Sequence, residues 1–410
     1  MATAGQRDVV IAGGGMVGLS LALQLGERAP PGTSITLVEG FALRPPGSAD
    51  YHPSFDARST ALSYSSRLIY QDMGLWPGLE QWLSPIETIH VSMKGRFGSS
   101  VMSANDYGWP ALGYVVENAW LGQALLRAVH QQGRVELVSP ARVTSARPSS
   151  EGFQLRLQGA DVGELDTRLL VVADGAGSSL RDELGIAMVE KPYRQSAVIA
   201  NVVTGQPHRG CAFERFTDQG PLALLPLLPA PGGEHRSALV WTQPPERADE
   251  LIACPDAEFI DELQRRFGYR LGRLTRVGER HSYPLSLVQA AEQVRRGLVV
   301  MGNAAHALHP VAGQGFNLAL RDVDALTTEI APLLARGGSP GELAHLQRYQ
   351  RRARPDQQQT IAFSDRVPGV FMRTDPVFSL ARDLALSGLD LLPPAKREFV
   401  RRAAGVGADG

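Results

Sequence analysis

The apolar runs of this chain repeatedly stop at glycine. Residues 8–12 (DVVIA) run into Gly13-Gly14-Gly15-Met16-Val17-Gly18, and residues 19–25 are then apolar and helix-compatible. Residues 35–38 form a second short apolar run that ends at Glu39. Residues 169–173 (LLVVA) end in Asp174-Gly175, and residues 298–301 (LVVM) end in Gly302-Asn303. Short unbroken apolar runs bounded by turn residues predict strands buried on both faces, as in a parallel sheet. After Asn303 a loop holding Pro310, Gly313 and Gly315 leads into a helical pattern from Phe316 almost to the end of the chain. A buried strand ending in a Gly-rich turn before a helix is how an α/β protein holds a dinucleotide or a flavin. Two such turns this far apart predict one cofactor held from both ends.

The intervening residues have another texture. Residues 41–55 are rich in Pro and Gly and read as a loop, and residues 59–73 read as a helix. Residues 86–93 alternate weakly, as a half-buried strand does, residues 120–131 are helical, and residues 135–157 give short strands. Residues 196–203, 211–217, 222–227 and 238–242 are strand-like, with a hairpin connection at 229–233. The predicted fold is α/β. A discontinuous Rossmann-like nucleotide-binding domain takes residues 1–75, 100–190 and 282–350. A mostly antiparallel β-sheet domain for substrate takes residues 76–99 and 191–281, and residues 351–410 form a C-terminal helical region.

Composition narrows the class. A chain of 410 residues allows two or three domains. The formal charge of −1 gives no basic field for nucleic acid. The two cysteines, Cys211 and Cys254, are far apart and read as small core residues in a reducing compartment. No apolar run approaches the roughly 18 residues that span a bilayer, and residues 1–8 are short and polar. A cytoplasmic protein is expected, at most peripheral on the inner membrane.

The N-terminal pattern, Gly13-x-Gly15-x-x-Gly18, carries a mechanism. The first glycine makes the turn, the second lets backbone approach a pyrophosphate, and the third lets helix and strand pack closely. Glu39 lies about 20 residues on, where a carboxylate meets ribose hydroxyls and disfavours a 2′-phosphate. Asp174-Gly175 is a second strand-end site. Arg58, entering the pattern Ser59-Thr60-Ala61-Leu62, can reach a phosphate or ribose; a solvated surface arginine is the alternative. Gln123 is a weaker candidate. His306 and His309 lack a third ligand nearby and no H-E-x-x-H is present, so no metal is expected. Arg351, Arg352 and Arg354 read as a solvated helix face.

Together, GGGMVG, VVADGAGSSLR and VVMGNAAHALHPVAGQGFNLALRD resemble the single-component aromatic flavoprotein monooxygenases across nearly the whole chain. The segments AVIANV, AFERFTDQGPLALLP and GNAAHALHPVAGQGFNLALRD narrow the resemblance to the FAD-dependent hydroxylases of ubiquinone biosynthesis, nearest to the 2-polyprenyl-6-methoxyphenol hydroxylases. The resemblance implies bound FAD in a fold similar to p-hydroxybenzoate hydroxylase. It places Gly13, Gly15, Met16, Val17, Gly18 and Glu39 at the ADP half, and Arg58 and Gln123 at the phosphate and ribityl region. Asp174 falls where the family couples flavin and nicotinamide binding. Gly302 and Asn303 meet the ribityl chain, and Pro310, Gly313, Gln314, Gly315, Phe316 and Asn317 line the isoalloxazine. Most relatives carry Gly-Asp where this chain has Gly302-Asn303; an amide oxygen still accepts a ribityl hydroxyl.

The implied reaction uses NAD(P)H, a transient hydride donor, and dioxygen. A flavin C4a-hydroperoxide then passes an electrophilic OH to a polyprenyl phenol, shielded from water by an apolar pocket. The strands between residues 197 and 242 would wall that pocket. No catalytic base is assigned; Tyr193, His281, Tyr283 and His309 are the residues considered. A polyprenyl substrate requires a membrane surface. Residues 367–392, rich in Val, Phe and Leu and followed by Lys396, Arg397, Arg401 and Arg402, are suited to lie on anionic lipid; packing on the core is the alternative. Expected partners are other ubiquinone-biosynthesis proteins and a second copy of the chain. Three rival readings stay open: a flavin monooxygenase of a soluble phenol, an FAD-dependent isoprenoid-chain reductase, and a flavin-bearing structural subunit.

Overall fold

The first strand and helix form as the sequence reading requires. β1 (Arg7–Ala12) is buried over its last four residues, and α1 (Met16–Arg28) follows after three glycines. β2 (Ile35–Val38) is buried throughout. The chain is described here by a computed structural model, which covers residues 5–43, 58–95, 99–159, 163–308, 313–372, 400–401 and 404–405.

The helix expected over residues 59–73 is a strand followed by a shorter helix. β3 (Ser59–Ser63) pairs antiparallel with a later strand, and α2 (Tyr64–Asp72) begins where the Ser63 hydroxyl accepts the Ser66 N–H at 3.3 Å. Nothing local in Ser-Thr-Ala-Leu-Ser separates strand from helix; the pairing decides. α3 (Trp76–Leu79), β4 (Ser84–Ile86), β5 (Thr88–Met93), β6 (Ser99–Ser103), β7 (Gly113–Glu117) and α4 (Asn118–Gln132) come next. β3, β7 and β4 make a small three-stranded sheet.

β8 (Val135–Val138), β9 (Arg142–Pro148), β10 (Phe153–Gln158) and β11 (Glu164–Val172) lead to α5 (Ser179–Glu183). The long β12 (Met188–Thr204) starts the second sheet, continued by β13 (Cys211–Phe216), β14 (Pro221–Leu227) and β15 (His235–Gln243). α6 (Pro245–Ala253) and α7 (Asp256–Phe267) follow, then β16 (Leu274–Val277) and β17 (His281–Ala290). β18 (Val294–Arg295), β19 (Leu298–Val300), β20 (His306–Ala307), α8 (Gln314–Ala335) and α9 (Leu343–Met372) complete the described elements.

The nucleotide-type sheet has the order β18-β19-β11-β1-β2-β8, with β10 and β9 added through β11. Pairings from β19 to β8 are parallel. Leu19, Leu21 and Leu25 of α1 are fully buried against it, each contributing roughly 2 kcal/mol of hydrophobic stabilisation. The second sheet has the order β20-β17-β12-β15-β14-β13-β5-β6, with β16 on β12, and only β13 and β5 pair in parallel. One face is packed by α6 and α7, joining Val198, Leu222, Leu239 and Trp241 to Phe259, Leu263 and Phe267. The alternate residues Ala212, Leu225 and Ala238 turn the other way, toward Ile86, Leu112 and Val115.

Sheet membership cuts across the expected boundaries. β6 and β17 lie in the second sheet, although residues 100–103 and 282–290 were placed in the nucleotide-binding domain. The break expected at 350/351 falls inside α9, which is continuous and bonded to α8 through Arg321–Asp356 (2.7 Å) and Gln357–Asp322 (3.0 Å). Backbone hydrogen bonding, rather than a change in side-chain texture, sets these limits.

Candidate active site

β19, β11 and β1 lie side by side, with Val300 beside Val172 and Val172 beside Ala12. Gly302, Asp174 and Gly13 therefore leave the sheet along one edge. β2, on the far side of β1, brings Glu39 to the same edge, with Val38 beside Ala12. Such an edge, where neighbours lie on both sides of the first strand, is where open α/β sheets hold ligands.

The glycines there are demanded by contact. Gly13 has φ +114°, and a side chain on it would clash with the Ala173 carbonyl. A Cβ on Gly18 would clash with the Gly13 carbonyl oxygen, so α1 can start directly beneath the strand. The Gly14 N–H donates to Glu39 Oε2 at 2.6 Å, and the Phe41 N–H donates to Glu39 Oε1 at 2.8 Å. Glu39 is buried and strapped across the turn. Gly15 is the N-cap of α1, no side chain caps it, and Met16 and Val17 form the first turn. Gly302 packs on Val17, where an added Cβ would lie 3.3 Å from the valine methyls. Asn303 is exposed in the short helical turn that follows.

The start of α8 is built against β3. Gly313 caps it in the left-handed conformation, again with no side-chain cap. Gln314 is buried, Gly315 has open space where a side chain would be, and Phe316 is half-buried against the nucleotide-side core. Asn317 is turned inward. Its Oδ1 accepts from Ser63 N (2.8 Å) and Ser66 Oγ (2.7 Å), and its Nδ2 donates to the Ala61 and Gly313 carbonyls (2.8 and 2.9 Å). Its amide thus clamps α8 to β3. Pro310 and His309 lie outside the described residues.

Arg58 joins the two sheets. Its carbonyl accepts the Asn118 N–H (2.7 Å) at the head of α4, and its guanidinium sits 5.2 Å from the Tyr283 ring centroid on β17. Gln123 is half-buried one turn into α4. Asp174 follows β11; protein packed around its carboxyl pushes its pKa up, and the Ser178 hydroxyl acts the other way. Solvent reaches its open side. His306 is buried on β20 and bonded to Gln293 (2.9 Å), and burial lowers its pKa to about 4, so it is neutral near pH 7. Among the described residues no group of three His, Cys, Asp or Glu is placed to hold a metal.

Of the residues considered as bases, those the structure describes are otherwise engaged. The Tyr193 hydroxyl donates to Asp365 (3.0 Å), and burial followed by that carboxylate raises its pKa. His281 is exposed beside Glu279, and Tyr283 lies under Arg58. Sequence reading passed over Glu214, which sits half-buried on β13. The signal was a carboxylate in the AFERF segment, set between the apolar Ala212 and Phe216 that β13 buries.

This donor set fits an adenine dinucleotide. Two helix N-termini carry N–H groups that no side chain caps, at the edge where glycine backbone is open, and a buried carboxylate ends the second strand. The comparisons agree. The FAD binding domain family matches residues 6–364. A ubiquinone hydroxylase, UbiL, of Rhodospirillum rubrum is 36% identical over 97% of this chain and 89% of its own length. The 3-demethoxyubiquinol 3-hydroxylase of Escherichia coli is 32% identical over 97% of this chain and 98% of its own. The chain belongs to the FAD-dependent hydroxylases of ubiquinone biosynthesis. It is an oxidoreductase of the monooxygenase type, and FAD is its cofactor. The fold of this hydroxylase is that of p-nitrophenol 4-monooxygenase from Pseudomonas putida, with a TM-score of 0.78 over 98% of this chain and 99% of that one, at 18% identity. The p-hydroxybenzoate hydroxylase-like α/β architecture expected from the sequence is therefore the one observed. Among the described residues no helix is long and apolar enough to cross a membrane.

Proposed function

We propose that the hydroxylase inserts one oxygen atom of dioxygen into the aromatic ring of a polyprenylated phenol, with NAD(P)H as reductant. The observation that carries this reading is the shared edge. Gly13, Glu39, Asp174 and Gly302 emerge together along it, and Arg58 links the head of α4 to β17 of the second sheet. Bound FAD supplies the hydride acceptance and dioxygen activation.

The chain's own residues would divide the binding. Gly15, Met16, Val17 and Gly18 present backbone N–H groups to the pyrophosphate, while Gly13, whose own N–H is held by the Val38 carbonyl (2.8 Å), makes the turn. Glu39, fixed at the strand end by the Gly14 and Phe41 N–H groups, would meet the ribose hydroxyls. Arg58 and Gln123 reach the phosphate and ribityl region, with Asn303 and Gly302 on the ribityl chain. Gly313, Gln314, Gly315, Phe316 and Pro310 bound the ring, while Asn317 holds that loop in place from behind. Asp174, at the exposed corner, is suited to the step that admits the nicotinamide.

The test uses purified holoenzyme with NAD(P)H, isotopically heavy dioxygen and a short-chain prenylated phenol. The expected product carries one heavy oxygen on the ring. Turnover without dioxygen would overturn the reading in favour of a chain reductase, and equal rates with an unprenylated phenol would point to a soluble substrate. Docking to an anionic membrane through residues 367–402 belongs to the same proposal. It rests on sequence, because most of that segment lies outside the described residues. Truncation after Pro394 should lower liposome binding.

A further inference from the structure

The two faces of the second sheet are finished differently. On the helix side Val198, Leu222, Leu239 and Trp241 are at most 1% exposed. On the opposite side Ile199, Val240 and Leu225 stay partly accessible although they sit mid-strand and apolar. Register places Glu214 in that second set. It stands beside Ala223, which stands beside Val240, then Ile199, then His281. On its other flank are Val91 and Ser100. Its chain neighbour Phe213 points the other way, edge-on to Phe267 of α7 (5.5 Å). Successive side chains alternate faces, so Glu214 lies on the face turned away from α7, the same face that carries Tyr283 under Arg58.

This carboxylate has no hydrogen-bond or ion-pair partner among the described residues. A carboxylate even partly withdrawn from water without donors is costly and is normally paired. Burial alone raises its pKa to about 7. The titratable and charged members of the same face are spoken for or remote along the strands. Tyr283 lies under Arg58, His281 is at the exposed edge, Arg236 pairs with Glu117 (3.3 Å) and Arg276 pairs with Glu234 (2.5 Å). Arg215 and His90 project from the helix side, His90 against Phe213.

We propose that Glu214 is the catalytic base that takes the proton of the substrate's phenolic hydroxyl, an inference that rests on the phenol-hydroxylase reading above. The phenolic O–H bond breaks and an O–H bond forms on Glu214. The electron pair stays on the phenolate oxygen and is shared with the ring carbons ortho and para to it, where the ring gains nucleophilicity. The proton leaves Glu214 to water after the product departs. A donor-starved carboxylate is a competent base because nothing else stabilises its charge.

The experiment compares wild-type holoenzyme with Glu214→Gln and Glu214→Asp. Flavin absorbance and content should be unchanged in both, since the position is away from the nucleotide turns. A chromogenic nitrophenol bound below its solution pKa should show the phenolate band in wild type and the phenol band in Glu214→Gln. Hydroxylation kcat should fall roughly 10²- to 10³-fold in the Gln variant, with partial recovery in Asp and loss of the acidic limb near pH 7. A wild-type complex without phenolate, or a Gln variant with the wild-type band and pH profile, overturns the role of Glu214. If wild type ionises the phenol yet incorporates no heavy oxygen, the functional reading fails while the base assignment stands.

Discussion

Glu39, buried at the end of β2, and Glu214, half-buried on β13, are both carboxylates drawn out of bulk water, and the protein treats them in opposite ways. Glu39 accepts two backbone N–H groups, from Gly14 and Phe41, and is part of the architecture of the turn. Glu214 accepts none among the described residues, and its strand neighbours on that face are the apolar Val91 and Ala223. A carboxylate surrounded by donors is fixed in one state and shapes the backbone. One without donors responds to what binds, because proton uptake or a ligand hydroxyl is its only relief.

The largest expected effect tests whether the nucleotide end is as rigid as the contacts say. Gly18→Val should yield protein without flavin, because a side chain there collides with the Gly13 carbonyl. Gly177→Ala, where an added Cβ meets nothing within 4 Å, should keep full flavin occupancy. Absorbance of the purified variants decides, and equal flavin in both would break the assignment.

The two glutamates can then be set against each other. Glu39→Gln should weaken FAD affinity by about tenfold to a hundredfold, as expected when charge-assisted hydrogen bonds are lost, while the loaded enzyme keeps its turnover. Glu214→Gln should do the reverse. FAD titration beside kcat at saturating FAD separates them, and matching behaviour would collapse the distinction.

Asp322 is an intermediate case. It is 1% exposed and receives the Gln357 amide at 3.0 and 3.1 Å, yet burial raises its pKa to about 7. Its folded pKa lies above the unfolded value of 3.8, so the folded state binds more protons between the two. Stability should therefore fall as pH rises from about 4 to about 7, by at most about 4 kcal/mol. His306 works against this, since its lowered pKa makes stability rise over pH 4 to 6.5. Urea unfolding of Asp322→Asn should lack the Asp322 part of the slope; an unchanged pH profile would show the carboxyl is not the source.

The smallest effect is expected at Asn303. It is exposed in its turn, so Asn303→Asp should retain FAD and fold stability to within about 0.5 kcal/mol. Empty flavin sites in that variant would show that a negative charge at this position is not tolerated beside the ribityl chain.

Local sequence carried the nucleotide side. An apolar run ending in glycine is a parallel strand because both faces must be buried, and a glycine at a tight turn has no substitute. Hence β1, α1, β2 and the strand ends at Asp174 and Gly302 were legible, together with the family that uses them. What stayed hidden depends on distant partners. Ser59–Ser63 is a strand because Gly113–Glu117 pairs with it, and Asn317 is a clamp because its acceptors and donors sit about 250 residues away. Glu214 read as one more charge in a strand until the register put it in an accessible apolar row. The chain by itself determined which backbone segments could approach a cofactor, since sterics at glycine act between near neighbours. Only the tertiary structure decided which polar side chains were left without partners, because hydrogen-bond satisfaction is settled between elements far apart in sequence.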